Sequence, residues 1–230
     1  MKLPRSCCFL LLAAALAGHS AVSAQAIQSP YRFVDETQAG SLFAGYIATG
    51  KGSVGLGPKS GPVFGSRYSI RLSGPFVIEL EPAFFKSTRQ VRDTTVVDSA
   101  RQVVGEGDIS LLVANGALRF NLTGPRTWHS LQPFLLFGGG AAVDLSGSSP
   151  DDELVAVEAR YDFGTSFAGA LFCGIEWFPS NRLTVRFDAR NALWKIKTPL
   201  AFLSDDFGAN TPSDEWVQNG WFTVGFSLRF

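Results

Sequence analysis

Hydrophobic and polar residues alternate strictly over the last nine positions of the chain, residues 222–230. One parity is apolar throughout and holds Phe222, Val224, Phe226, Leu228 and Phe230. The other parity holds small or polar side chains, namely Thr223, Gly225, Ser227 and Arg229. Because successive side chains of a strand point to opposite faces, this segment is predicted to be a β-strand with one apolar and one polar face.

Similar patterning occurs in seven segments upstream. We predict strands at 41–49, 64–72, 76–86, 108–122, 131–145, 161–178 and 183–191, with a bend or bulge at the glycine run 138–140. The connections alternate between short turns and long loops, and the long loops are 50–61, 87–106, 146–160 and 195–215. This arrangement is typical of membrane barrels. The sequence therefore predicts an all-β fold, an eight-stranded antiparallel up-and-down transmembrane β-barrel over residues 41–230.

Charged side chains fall on the polar parity of these strands and favour a filled interior. They are Arg67, Arg71, Glu79, Glu81, Arg119, Glu176, Arg186, Asp188, Arg190 and Arg229. The two arginines of the second strand are expected to face the two glutamates of the third across the turn at 73–75. An eight-stranded barrel is just wide enough for side chains to fill it, and arginine suits a buried multidentate network. The alternative is a soluble ligand-binding barrel, which would hide the apolar parity and expose the charges.

Aromatic residues recur near strand ends on the apolar parity. They are Tyr68, Phe76, Phe84, Trp177, Phe222 and Phe230. Such rings favour the lipid–water interface, although aromatic side chains also pack well in an ordinary core. The pattern supports a lipid-facing girdle and leaves core packing open as the alternative.

The first 24 residues have the three regions of a secretory signal peptide. Lys2 and Arg5 precede an apolar run at 7–18, and small residues that suit a cleavage site end at Ala24. The run is shorter than the roughly 20 apolar residues that a membrane-spanning helix needs. We therefore expect export, cleavage near Ala24, and a periplasmic segment at 25–40 that forms a short helix or a barrel plug.

Composition limits what the mature chain can be. Removing the signal leaves 18 basic and 20 acidic side chains, a net charge of −2, which offers no basic patch for nucleic acid. Cys173 is then the one remaining cysteine, so an intrachain disulfide cannot form. No mature segment has the length of a membrane-spanning helix, so membrane insertion requires a closed barrel.

Several segments resemble small eight-stranded outer-membrane barrels of the OmpA and OmpW types. They are the hairpin at 169–190, with the sequences GIEWF at 174–178 and RFDAR at 186–190, the glycine-rich strand at 133–141, and the terminal Phe230. The resemblance covers residues 41–230. It implies a multi-pass protein of the cell outer membrane, in contact with lipid and lipopolysaccharide, with both termini in the periplasm and the long loops outside.

The last strand also resembles the assembly signal of such proteins. The residues that carry this likeness are Phe222, Phe226, Leu228 and Phe230. The resemblance implies that they contact the barrel-assembly machinery. It transfers no catalytic residue, and it leaves the oligomeric state open.

The sequence does not favour an enzyme. Some barrels of this size modify lipid A and need a histidine, a serine and an acid at the membrane rim. The one histidine of the mature chain, His129, is adjacent to Ser130 in a short turn, where neighbouring side chains do not share a strand face. Since no metal-ligand, nucleophile-elbow or phosphate-loop motif is present, we predict no catalytic residue, metal or cofactor.

Acidic clusters at 151–153, 205–206 and 214–215 lie in the predicted external loops. They would suit divalent cations that bridge lipopolysaccharide phosphates, or they are ordinary solvated charges. They lack the ligand spacing of a cation-binding loop such as an EF-hand, which favours solvated charges.

Two functions remain for such a barrel. The first is a mainly structural or surface-interaction role with a side-chain-filled interior. The second is a narrow channel for ions or small apolar solutes, for which the apolar loop segment 194–207, with Phe202 and Leu203, offers a possible contact. Charges on the interior parity favour the filled barrel, because an arginine–glutamate network leaves little open bore.

Overall fold

The alternating segments form extended antiparallel strands in the computed structural model, which describes residues 29–35, 37–95, 102–203 and 211–230. The strands are β1 (Tyr31–Phe33), β2 (Gln38–Thr49), β3 (Gly61–Ser73), β4 (Phe76–Arg92), β5 (Val103–Asn121), β6 (Arg126–Trp128), β7 (Leu131–Asp144), β8 (Thr165–Trp177), β9 (Leu183–Lys197) and β10 (Asp214–Arg229). Three 3-10 helices lie in the loops, at Pro150–Leu154, Val157–Ala159 and Leu200–Leu203. No helix in these ranges is long and apolar enough to cross a membrane.

Eight of the strands close into a ring in which each long strand pairs with its neighbours along the chain. The seam joins β10 to β2 over eleven residue pairs, from Asn219 opposite Thr49 to Arg229 opposite Ala39. At its end, Gln38 and Phe230 exchange both backbone hydrogen bonds, at 3.2 and 3.0 Å. β1 and β6 pair with each other outside the ring. The predicted all-β, eight-stranded antiparallel barrel is confirmed.

The apolar parity of the strands points outward. Leu42, Leu171 and Leu228 expose 64–70% of their surfaces, while the residues that follow them, Phe43, Phe172 and Arg229, are buried. The six aromatic residues of the predicted girdle also lie on the outer surface, with Phe84 half-buried against Phe64. An apolar outer belt is the pattern of a membrane barrel and the reverse of a soluble ligand-binding barrel.

Several strands are longer than predicted at the end that carries the long loops. In the stretch 87–106, predicted to be a loop, most of the described residues are strand, because β4 continues to Arg92 and β5 begins at Val103. The predicted loop 195–215 is shorter for the same reason, since β9 continues to Lys197 and β10 begins at Asp214. Backbone ladder bonds do not require apolar side chains, so the hairpins extend into polar sequence.

The amino-terminal segment also differs from its predicted form. Tyr31–Phe33 is neither helix nor plug but a short strand paired with β6, and β2 begins at Gln38 rather than at 41. Its alternating sequence is compatible with a strand. The predicted signal peptide and residues 25–28 lie outside the described residues.

The glycine run at 138–140 does not form the expected bulge. β7 pairs with β5 and β8 through these residues without a register shift. Gly140 instead permits a close approach of strands, because a Cβ atom there would overlap the carbonyl oxygen of Ala114 on β5.

Replacing Gly140 with Ala is expected to destabilise the barrel, and Gly116→Ala is the matched control. A Cβ atom at Gly116 would meet only Leu80, at 3.8 Å. We expect Gly140→Ala to lower the free energy of unfolding by about 1–3 kcal/mol, as overpacking does. The measurement is the urea midpoint in lipid vesicles, read from gel mobility without boiling. Equal midpoints for the two variants would contradict the close-approach interpretation.

Candidate functional site

Four arginines and four carboxylates meet inside the barrel, in the half nearer the short turns. They are Arg67, Glu79, Glu81, Arg119, Glu176, Arg186, Asp188 and Arg190, which we call the ion cluster; all are buried. β4 and β9 supply most of it, because residues two apart on a strand point to the same face. The cluster brings together eight of the ten predicted interior residues.

Glu79 joins residues from three other strands. It accepts hydrogen bonds from Arg186 Nη1 at 2.7 and 3.0 Å, across the lumen. Arg119 Nη1 lies 3.0 Å from the same carboxylate and donates to Glu176 at 2.5 Å. These contacts link β4, β5, β8 and β9 into one connected group.

Glu81 and Asp188 form the second centre of the ion cluster. Glu81 accepts from Arg67 Nε at 2.8 Å and Nη2 at 2.5 Å, and also pairs with Arg190. Asp188 accepts from Arg186 Nε at 3.0 Å, Arg190 Nη2 at 3.1 Å and Thr223 Oγ1 at 2.8 Å. Each carboxylate thus faces more than one guanidinium.

The charges of the ion cluster balance, with four positive and four negative groups. A single unpaired charge would be costly at this depth, because desolvation is compensated only by close partners and hydrogen bonds. Aromatic rings flank the guanidinium groups: Arg186 lies 4.1 Å from the Phe134 ring centroid, and Arg190 lies 4.2 Å from that of Phe172. The rings close the lumen around the charges and add cation–π attraction.

The remaining two predicted residues, Arg71 and Arg229, lie nearer the short-turn end. Arg229 is buried with its guanidinium 4.2 Å from the Phe178 ring centroid, and Arg71 is half-buried. The expected pairing of arginines with glutamates across one hairpin holds for Arg67, which pairs with Glu81 at 2.5 Å and with Glu79 at 3.5 Å. Arg71 is opposite Val77, while Glu79 is opposite Ser69 and pairs with Arg186 across the lumen as well as with Arg67.

The other half of the interior is apolar. It is a packed cluster of inward side chains and loop residues, including Phe85, Ile109, Leu111, Trp194, Trp221, Tyr161, Phe163 and Phe202. Trp194 and Trp221 stack edge to face at 6.5 Å, and Phe163 contacts Trp194 in the same way at 6.1 Å. We call this cluster the apolar plug; it fills the barrel toward the long loops.

A buried ion pair holds a loop over the apolar plug. Arg89 Nη2 donates to both carboxylate oxygens of Asp152, at 2.8 and 2.6 Å. The Asp152 carboxylate also accepts the Ser149 N–H at 2.9 Å, and Tyr161 lies beneath Arg89. Burial raises the pKa of the Tyr161 phenol well above its usual range, so this group stays neutral.

Sequence reasoning missed the apolar plug because it treated the inward parity as polar along the whole strand. A signal was present at residues 111–113, which are Leu, Leu and Val, with both parities apolar and with Leu111 and Val113 in the plug. In a barrel whose outer face is apolar, such a run indicates an apolar interior at the same height. Phe202, considered as a contact for an apolar solute, is buried in the plug.

Acidic residues of the predicted external loops contact the protein itself. Asp151 accepts the Glu106 N–H at 3.0 Å, Asp214 pairs with Lys195 at 2.5 Å, and Glu215 accepts the Ser53 N–H at 2.5 Å. The described ranges contain no group of three or more His, Cys, Asp or Glu residues placed to hold a metal ion. Residues 205–206 lie outside those ranges.

His129 and Ser130 form the two central residues of the tight turn between β6 and β7. Both have positive φ, 49° and 62°, as a two-residue hairpin turn of this type requires. The His129 ring packs edge to face on Trp128 at 4.9 Å. This is a turn-forming arrangement, with no serine–histidine hydrogen bond among the contacts found there.

The residues of the predicted assembly signal lie on the outer face of β10, at the seam. Phe222, Phe226, Leu228 and Phe230 each expose 60–67% of their surface. Their side chains therefore point away from the barrel interior.

Comparison with known proteins finds similarity in structure but not in sequence. No protein-family model matches the sequence, and no curated protein matches it. The outer membrane protein OprG from Pseudomonas aeruginosa is similar in structure, with a TM-score of 0.52 and 14% identity, covering 85% of this chain and 97% of that chain. This chain has the fold of the small eight-stranded outer-membrane barrels.

Two further structures are similar over comparable lengths. Neisserial surface protein A has a TM-score of 0.46 and 13% identity, covering 88% of this chain and 98% of that one. The N-terminal β-barrel domain of OprF from Pseudomonas aeruginosa has a TM-score of 0.46 and 8% identity, covering 85% and 98%. The likeness to OprG confirms, at the level of the fold, the resemblance inferred from the sequence.

Breaking the ion cluster at Arg186 is expected to destabilise the barrel strongly. Arg186→Gln leaves Glu79 and Asp188 with an unmatched charge, which costs about 3–5 kcal/mol for a buried pair. The matched control is Arg182→Gln, an exposed arginine just before the same strand, with an expected change within about 0.5 kcal/mol. The double variant Glu79→Gln with Arg186→Gln should lose less than the sum of the single losses, measured by urea unfolding in vesicles. Additive losses would show that the pair is not coupled.

Proposed function

We propose that this protein is an integral outer-membrane barrel with a structural or surface-interaction role and a lumen closed to transport. The observation that carries the proposal is the filling of the interior at two heights. The ion cluster occupies the half near the short turns, and the apolar plug occupies the half near the long loops. An open pore would need an inward surface free of such contacts.

The outer-membrane location is supported by the apolar outer belt and by the fold shared with the outer membrane protein OprG. In this location the signal peptide is cleaved near Ala24, the termini are periplasmic, and the long loops face outside. The exposed lysines near the long loops, Lys86 and Lys197, suit contacts with lipopolysaccharide phosphates. The outer face of β10, ending at Phe230, suits recognition by the barrel-assembly machinery.

The role is non-enzymatic in this proposal. His129 and Ser130, considered as catalytic candidates, serve a tight turn at the end of the barrel opposite the external loops. The narrow channel is the competing function, and conductance separates the two.

The purified mature protein is expected to give no steady ion conductance in planar lipid bilayers. The paired charges of the ion cluster and the apolar plug both block the path of a hydrated ion. The control is Arg89→Ala, which releases the loop over the plug and leaves the ion cluster intact; it should also be silent. Stable conductance steps from the wild-type protein would overturn the closed-lumen proposal in favour of the channel.

Topology in cells gives a second test. In a Cys173→Ser background, Glu153→Cys lies in the loop between β7 and β8, and Arg182→Cys lies in the turn before β9. A membrane-impermeant maleimide should label position 153 on intact cells and position 182 only after the outer membrane is permeabilised. The reverse pattern would invert the proposed orientation, and equal labelling at both sites on intact cells would argue against insertion.

A further inference from the structure

The two short strands outside the ring form a separate feature at the short-turn end, which we call the arm: Tyr31–Phe33 paired with Arg126–Trp128. Two further backbone hydrogen bonds join its strands to each other, from Val34 N to the Pro125 carbonyl at 3.0 Å and from His129 N to the Pro30 carbonyl at 2.9 Å. On its inner face Arg32 donates to Asn181 Oδ1 at 2.5 Å, in the turn before β9. The arm is thus fixed to the barrel rather than hanging from it.

Strand register determines which way the outer face of the arm points. Tyr31 is opposite Trp128, Trp128 is opposite Leu131, and Leu131 is opposite Trp177 on β8. Side chains of directly opposed residues lie on the same face of a sheet. The row from Tyr31 to Trp177 is therefore continuous with the outer, lipid-facing surface of the barrel, at the end of the apolar belt.

The chemistry of that face is amphipathic. Tyr31, Phe33 and Trp128 expose 49%, 60% and 48% of their surfaces, values that would be unfavourable for a face in water alone. The exposed Arg126 guanidinium lies 4.6 Å from the Phe33 ring centroid. Aromatic rings beside a cation match the boundary of a bilayer, where rings sit at head-group level and a guanidinium meets lipid phosphate.

We propose that the outer face of the arm is a lipid anchor, which seats Tyr31, Phe33 and Trp128 at the head-group level of the leaflet at the short-turn end and binds an anionic phospholipid through Arg126. The inference rests on the proposed membrane barrel. Charge supports this occupant, because Arg126 is exposed on this face and Arg182 is exposed in the neighbouring turn that Arg32 contacts through Asn181; Asp35, also exposed, follows the arm. Continuity with the apolar belt favours a bilayer over a protein partner added at the free edge of β1.

The test places a fluorescent label on the arm and asks what reaches it. The mature Cys173→Ser protein carries a bimane at Phe33→Cys, in vesicles of equal parts phosphatidylcholine and phosphatidylglycerol. We expect strong quenching by a nitroxide on the lipid head group and weak quenching by an aqueous quencher. Labels at Leu135→Cys, in the apolar belt, and at Glu153→Cys, in an external loop, are the lipid and aqueous controls. A label at Tyr31→Cys repeats the measurement if the first variant folds poorly.

Each outcome is decisive. Quenching of position 33 only from water, with position 135 quenched from lipid, overturns the anchor and leaves the membrane barrel intact. Absence of lipid quenching at position 135 overturns the proposed barrel insertion as well. Shielding of position 33 from both lipid and water indicates a protein contact, such as a second copy at the β1 edge, and also overturns the anchor.

Arg126 provides the chemical test of the same surface. With head-group nitroxides on phosphatidylglycerol and on phosphatidylcholine, the wild-type arm should be quenched preferentially by the anionic lipid. Arg126→Gln should reduce that preference by up to about fivefold, the contribution of one basic residue at a membrane surface. Lys197→Gln, at the opposite end of the barrel, is the matched control and should leave the ratio at position 33 unchanged. An unchanged ratio in Arg126→Gln would overturn the assignment of the phosphate contact.

Discussion

Closure of the sheet is the constraint on which the rest of this structure depends. A membrane interior offers no water to unpaired backbone groups, so β10 must return to β2 and leave no edge in the belt. With eight strands the ring is narrow, and its inward side chains have to pack against one another. Outward side chains then become apolar, as Leu42 and Phe226 are, and inward ones must satisfy their own charges and volumes.

The interior meets this requirement in two different ways at its two ends. Near the short turns, charge is balanced by charge, and Glu79 alone draws guanidinium groups from β5 and β9. Near the long loops, volume is filled by rings, with Trp194 and Trp221 fully buried. The division explains why the chain needs both arginine-rich and aromatic inward positions, and why the loop carrying Asp152 folds back over the apolar half.

Much of the fold could be predicted from the sequence, because the alternation of apolar and polar residues can be read within each strand separately. The inward position of Arg186 and Glu79 follows from parity in the same way. Their partnership does not, since it depends on how strands far apart in sequence are staggered when the ring closes. The position of Arg71 opposite Val77 is instead set locally, by the register of the β3–β4 hairpin. The prediction of a bulge at 138–140 was wrong because glycine in a strand is compatible with either a bend or a close approach of another backbone. The contact with Ala114 on the neighbouring strand distinguishes the two, and the sequence does not show it.

The long sequence distances within the ion cluster bear on how the barrel is built. Arg67 reaches Glu81, 14 residues away, and also Asp188, 121 residues away. A partly formed sheet that lacks β9 therefore carries glutamates and arginines without some of their partners. These charges lie on the face that becomes the barrel interior. Such an intermediate gains little from partial insertion, whereas the last strands bring neutralisation and closure together. Assembly should thus be cooperative, because the barrel becomes stable only when the carboxyl-terminal quarter of the chain is in place.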